Sequence, residues 1–201
     1  IAKKSNTTPK NSPAAAIGTF VSLPAPKGLI LPFKGISPRV ADDVFLAPNS
    51  VVVGDVEIGE RSSLWYNVVV RADVGLIKIG AGTNIQDGSV VHVTGGQFDT
   101  HIGNDVLIGH LCMIHGCVLE DRAFVGMKAT ILDGARVEAD AMVAAGAVVT
   151  PNKVVKSGEL WAGAPAKKMR DMDADEIQRR RKSAPNYAIN ALDHINSLRH
   201  A

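Results

Sequence analysis

Leu119-Glu-Asp-Arg-Ala123-Phe-Val125-Gly-Met-Lys-Ala129-Thr-Ile131-Leu-Asp-Gly-Ala135-Arg-Val137-Glu-Ala-Asp-Ala141-Met-Val143-Ala-Ala-Gly-Ala147-Val-Val149 repeats with a period of six. An aliphatic residue stands at 119, 125, 131, 137, 143 and 149, and alanine follows four places after each of the first five. A six-residue period fits short strands joined by tight corners round a prism of three faces, with three hexads to a coil. One large and one small residue per hexad then fill the interior.

Extended towards the N-terminus, the same ruler finds eighteen aliphatic positions: 40, 46, 52, 58, 64, 70, 79, 85, 91, 102, 108, 114, 119, 125, 131, 137, 143 and 149. Eighteen hexads make six coils of an all-β, parallel β-helix, expected over 40–155. Residues 1–39 then form an N-terminal extension and 156–201 a linker with a C-terminal α-helical segment. Three steps differ from six. Nine residues separate Val70 from Ile79 and eleven separate Val91 from Ile102, which predicts loops leaving the prism at Val74 to Lys78 and Thr94 to His101. Five separate Ile114 from Leu119. Counting round the corners puts 52, 70, 91, 114, 131 and 149 on one face and 46, 64, 85, 108, 125 and 143 on the next. Handedness does not follow from spacing, because parallel crossovers are right-handed by default.

Composition narrows the function classes. With 46% apolar and only 4% aromatic residues in 201, the core is built from Val, Ile, Leu and Ala. A net charge of +2, with no basic stripe interleaved with aromatics, excludes nucleic acid as the expected partner. Cys112 and Cys117 are too few for a disulfide framework, and Cys112 falls at an inward small position where it reads as a buried hydrophobe. The apolar run from Thr19 to Phe33 is broken by Lys27 and three prolines, so it does not read as a membrane span. From Ile1 to Ala41 there are five lysines and Arg39 but no acidic residue, and the first residue is not Met. That bias resembles an organelle-targeting remnant, with a flexible tail on a bacterial protein as the alternative.

The face assignment gives three histidines a place. His92 and His115 each follow the aliphatic residue of their hexad by one, on one face and in successive coils, so their rings stack ~4.8 Å apart and can converge on one metal ion. His110 sits two places after Ile108 on the adjoining face, out of easy reach within one subunit. In a three-fold trimer it meets the pair of a neighbour. One coil earlier, Arg71 occupies the column of His92 and His115 and Asp87 that of His110, so the two are expected to face each other across the same interface. His101, His194 and His200 lack such support and read as surface residues. After the repeat, Asp173 and Glu176 form a capping box ahead of Ile177. Pro185 interrupts the helical pattern. Tyr187, Ala191, Ile195 and Leu198 then recur at helical spacing, and the basic run Arg179 to Lys182 reads as a solvated face.

Five segments together resemble the γ-class carbonic anhydrases. These are Asp55-Val-Glu-Ile-Gly59; Leu64-Trp-Tyr-Asn-Val-Val-Val-Arg71-Ala-Asp73; Thr83-Asn-Ile-Gln-Asp-Gly-Ser-Val-Val-His92; Ile108-Gly-His110-Leu-Cys-Met-Ile-His115-Gly-Cys117; and Leu160-Trp-Ala-Gly-Ala-Pro165-Ala166. The resemblance covers about Leu31 to Tyr187. It implies a left-handed helix and a homotrimer, or a heterotrimer with paralogous subunits. It also implies Zn2+, with Fe2+ or Co2+ as alternatives, held by His92 and His115 of one subunit and His110 of the next. Carbon dioxide and bicarbonate are the implied substrate and product, with Asn84 and Gln86 orienting them and Arg71, Asp73 and Asp87 fixing the interface.

The sequence departs from the most active relatives at two places. Val74 replaces a glutamate after the Arg-x-Asp motif, and the loop at Thr94 to His101 lacks the acidic residues that shuttle protons in the family. Relatives also form a matrix-side trimer on the membrane arm of mitochondrial respiratory complex I. The expectations are therefore a carbonate dehydratase, a structural subunit of that complex, or, least favoured, a hexapeptide acyltransferase. A mitochondrial location is expected, with a bacterial cytoplasm as the alternative.

Overall fold

A computed structural model describes residues 27–199. Parallel ladders stack hexad on hexad along three faces. On the first, Val52, Val70, Val91, Ile114, Ile131 and Val149 are successive partners. On the second, Leu46, Leu64, Ile85, Ile108, Val125 and Val143 pair in turn. Val40, Ile58, Ile79, Ile102, Leu119 and Val137 form the third. All of these except Val40 are buried, each stabilising the prism by roughly 1.5–3 kcal/mol relative to exposure.

The small inward positions complete the core. Ala123, Ala129, Ala135, Ala141 and Ala147 are buried. At three polar positions the hydroxyl is satisfied from the next coil: Ser62 donates to the Gly80 carbonyl, Thr83 to Gly103 and Ser89 to Gly109, at 2.7–2.8 Å. A buried hydroxyl left without a partner is costly, so these contacts explain how polar side chains occupy an apolar column. The corners share a requirement too. The third residue after the aliphatic position turns through positive φ, as at Asn67, Asp105, Leu111, Asp140 and Asn152. Asn and Asp tolerate this conformation, whereas an apolar side chain such as Leu111 adopts it at a cost.

The nine-residue step is not a loop. Val69–Ile79 is one continuous strand running alongside Val51–Ile58, with a register shift between Gly54 and Val56. The expected excursion at Val74 to Lys78 is thus absorbed into the ladder and joins two faces in one sheet. Gly54 makes this possible: at φ +80, a Cβ there would lie 2.2 Å from the Ala72 carbonyl oxygen. The eleven-residue step does leave the prism, as a turn closed by an antiparallel bridge between Thr94 and Phe98.

The ladder extends past the counted hexads at both ends. Leu29–Leu31 pairs with Val51–Val53. Val154–Val155 continues the third face, and Glu159–Gly163 pairs with Met142–Val143 before reversing into Ala166–Asp171. Residues 1–26 of the N-terminal extension lie outside the described residues.

Two helices follow, α1 (Ala174–Arg181) and α2 (Ser183–Arg199). The Asp173 carboxylate caps α1 by accepting from the Glu176 amide at 2.7 Å. Glu176 does not return the bond; it pairs with Arg170 instead. Lys182, not Pro185, separates the helices, because Pro185 falls in the first turn of α2, where its missing N–H is no loss. Tyr187, Ala191, Ile195 and Leu198 pack α2 on the core. Among the described residues no helix is long and apolar enough to cross a membrane.

Candidate metal centre

His92 and His115 are direct partners in the first ladder, one coil apart. Their ring centroids are 5.1 Å apart, and Nδ1 of His92 lies 3.0 Å from Nε2 of His115. Each ring is held on its outer side by a carboxylate. Nε2 of His92 meets Asp73 at 3.0 Å, and Nδ1 of His115 meets Asp133 at 2.6 Å. A carboxylate accepts, so each imidazole donates outward and is left with its bare nitrogen pointing inward; the tautomers are assigned from this network. Two lone pairs then face each other across 3.0 Å, an arrangement that a shared cation relieves. Two Zn–N bonds of about 2.0–2.1 Å at a tetrahedral angle separate their nitrogens by ~3.3 Å, so the pair fits as two ligands of one ion. Outward carboxylates are also the common orienting partners of metal-binding histidines.

The carboxylates are themselves tuned. The bond to His92 lowers the Asp73 pKa, against the opposing effect of desolvation and with further help from Arg71. At Asp133, burial raises the pKa, but bonds from His115 and Thr94 outweigh it and the net shift is downward. Both are ionised at neutral pH. Sequence reasoning missed Asp133, although the ruler held the clue: it stands two places after Ile131, in the coil next to His115.

His110 occupies the corner after the second-face strand Leu107–Ile108, where Nδ1 lies 2.9 Å from Asp87. Asp87 therefore orients His110 within the chain. Arg71 pairs with Asp73 within the chain as well. Among the described residues no three His, Cys, Asp or Glu side chains of one protomer form a metal cluster. Around His110 and His115 the protomer leaves apolar side chains in solvent: Leu111 is 57% exposed and Met127 53%, with Met113 beside them.

Asn84 and Gln86 are buried and joined in a relay. Gln86 Nε2 donates to Asn84 Oδ1 at 3.1 Å, and Asn84 Nδ2 donates to Ser63 Oγ at 2.8 Å. Gln86 and His110 line one pocket of ≈ 510 Å3 with Phe124, Met127, Arg180 and Tyr187. Tyr187 thus reaches the same pocket as one histidine, and its ring forms a T-shaped pair with Trp65, centroids 5.7 Å apart. His101 is exposed as expected. His194 is not a surface residue: it is half-buried among Phe45, Trp65 and Tyr66, with the Tyr66 hydroxyl 3.1 Å from its Nδ1. A cluster assembled from the prism and a helix more than a hundred residues away leaves no local pattern in the sequence. His200 lies outside the described residues. Cys112 and Cys117 are free and buried.

Comparison with known proteins gives consistent results. A family profile described as bacterial transferase hexapeptide (six repeats) matches residues 37–72. The chain is 53% identical to gamma carbonic anhydrase 2, mitochondrial, of Arabidopsis thaliana over 75% of its own length, but spans only 56% of that relative. It is 35% identical to a carbonic anhydrase of Geobacillus kaustophilus, covering 75% of this chain and 82% of the relative. The crystal structure of a hexapeptide transferase family protein from Anaplasma phagocytophilum superposes with a TM-score of 0.79 at 47% identity, over 82% of this chain and 97% of that one. With its stacked histidine pair, its coil register and these relatives, the chain belongs to the γ-class carbonic anhydrase family of hexapeptide-repeat proteins.

Proposed function

We propose that three copies of this chain assemble round a three-fold axis and hydrate carbon dioxide to bicarbonate at metal sites between them. In each site His92 and His115 of one protomer bind the ion with His110 of the next. The observation that carries this reading is the pair of inward ring nitrogens 3.0 Å apart on His92 and His115, each ring fixed from outside by a carboxylate. Support for the trimer comes from the exposed Leu111, Met113 and Met127 beside the histidines, an apolar surface of the kind an interface covers. Zn2+ suits three imidazoles, and Fe2+ or Co2+ accept the same donors.

The bound ion supplies Lewis acidity, which brings the pKa of water towards neutrality. The protein's residues supply the rest. Ser63, Asn84 and Gln86 form a relay whose free end at Gln86 orients water and substrate by hydrogen bonding. Asp73, held by Arg71, and Asp87 fix the rings of His92 and His110. Arg71 also offers a positive charge to bicarbonate. Proton removal is the weak step. Val74 carries no acid, and Asp99, the one acidic residue of the 94–101 loop, is occupied accepting from the Leu76 amide at 2.8 Å.

That occupied loop favours a second reading, in which the trimer serves mainly as a structural part of mitochondrial respiratory complex I and turns over slowly. The mitochondrial designation of the Arabidopsis relative supports the location. Acyl transfer is not favoured, since it shares the repeat but does not call for the paired imidazoles. Metal analysis with stopped-flow carbon dioxide hydration tests the first reading: metal-loaded protein accelerates hydration above buffer. Full metal occupancy with a rate equal to buffer refutes catalysis and leaves the assembly reading, which fails in turn if the protein in native membranes migrates only as a free trimer.

A further inference from the structure

The loop leaving the prism after His92 is tied back to it at both ends and by Phe98 between them, and one tie reaches His115 on the side away from His92. Thr94 Oγ1 donates to Asp133 Oδ2 at 2.8 Å, while Asp133 Oδ1 accepts from His115 Nδ1 at 2.6 Å. Thr94 is locked in turn by the bridge to Phe98, with amide–carbonyl bonds of 3.0 and 3.1 Å in the two directions. Phe98 packs against two corner glycines. A Cβ on Gly116 would come 2.9 Å from the Phe98 Cβ, and one on Gly134 would come 3.0 Å from its ring. Both glycines have positive φ, and Gly116 also makes room for Asp133, whose Oδ1 would stand 2.3 Å from an added Cβ. At the far end, Thr100 Oγ1 donates to the carbonyl of His92 at 2.6 Å.

One short excursion therefore holds the backbone of one histidine and the orienting carboxylate of the other. An unfastened Asp133 can rotate about its side-chain torsions and release the His115 ring. The bare Nε2 then no longer meets the bare Nδ1 of His92. Fastened, both nitrogens address one point before any ion arrives, so binding need not order the rings. The geometry points to Thr94 and Asp133 as positioning residues for the metal centre, with the 94–100 loop, seated by Phe98, as the clamp that sets metal affinity. This rests on the metal-centre reading proposed above and adds a role for a loop whose one acid, Asp99, accepts from the Leu76 amide.

The test uses the full chain and Co2+ as probe, with affinity measured by chelator competition and ligand geometry by the visible absorption of the bound ion. Asp133→Asn is expected to weaken Co2+ binding 10- to 100-fold, the range for loss of an orienting carboxylate. Thr94→Val, which removes the hydroxyl at nearly constant volume, is expected to weaken it several-fold and alter the spectrum. Thr94→Ser keeps the hydroxyl and restores both. Circular dichroism checks that each variant is folded. Parent-like affinity and spectrum in both Asp133→Asn and Thr94→Val overturn the clamp and leave the metal centre standing. Failure of the parent itself to bind Co2+ overturns both.

Discussion

Replacing Asp140 by Asn is expected to destabilise the fold by weakening two ion pairs, one within the prism and one that ties α1 to it. Asp140 sits at a corner of the prism, its side chain only 11% exposed, and receives two bidentate guanidinium forks. Arg122 contributes bonds of 3.0 and 3.0 Å, and Arg181, the last residue of α1, bonds of 2.8 and 2.9 Å. Burial pushes this carboxyl up, but the bonds from Arg181 and Arg122 outweigh it and hold the pKa at about 2, against an ordinary 3.8. The difference corresponds to roughly 2 kcal/mol of stability at neutral pH. Because folding depresses the pKa, the contribution is complete above the unfolded value and is lost as pH falls through the folded one. About half remains at pH 3 and little at pH 2. Asn tolerates the positive φ of this corner, so backbone strain does not confuse the comparison. Urea unfolding of both proteins at equal protomer concentration should show Asp140→Asn less stable by about 2 kcal/mol at pH 7, with the deficit roughly halved at pH 3. Equal stability at pH 7, or a deficit independent of pH, means that the two guanidinium forks do not stabilise the ionised Asp140.

Two further outcomes follow from the core. Burial pushes the Cys117 thiol up to about 12, so it carries no appreciable thiolate at pH 8; native protein treated with iodoacetamide should show no label at Cys117 by mass spectrometry, and labelling there contradicts the buried placement. Ile131, fully buried in the middle of the first ladder, should cost about 2–5 kcal/mol when changed to Ala, and a loss below about 1 kcal/mol in urea unfolding argues against a close-packed prism.

The coil register was legible because a six-residue period leaves one aliphatic residue per strand and no freedom to slip. All eighteen counted positions pair as the face assignment requires, and the stacking of His92 on His115 follows from it. The ruler failed where the backbone changed conformation without changing composition. The extra residues between Val70 and Ile79 read as a loop, yet Val70 and Ala72 flank Arg71, and Ile77 and Ile79 flank Lys78, in the two-residue alternation of a strand. Leu29–Leu31 was hidden because it follows a stretch whose bias reads as a tail. At the candidate site, Asp133 belonged to a neighbouring coil, and its link to Thr94, 39 residues distant, exists only in three dimensions. The docking of His194 against Trp65 and Tyr66 was likewise a tertiary event without a local signature.

The central claim, that one metal is shared between protomers, is tested most directly by mixing two crippled chains. His110→Ala keeps the His92 and His115 pair, and His115→Ala keeps His110, so neither homotrimer holds a complete site. Unfolding and reassembling the two together creates mixed trimers, each with one interface where the intact pair meets an intact His110. Co2+ binding, measured by metal analysis after removal of free ion, is expected to be absent from each variant alone and to return in the mixture, at no more than one ion per mixed trimer. Metal retained by either variant alone, or no recovery in a mixture shown by native mass spectrometry to contain mixed trimers, contradicts a shared metal.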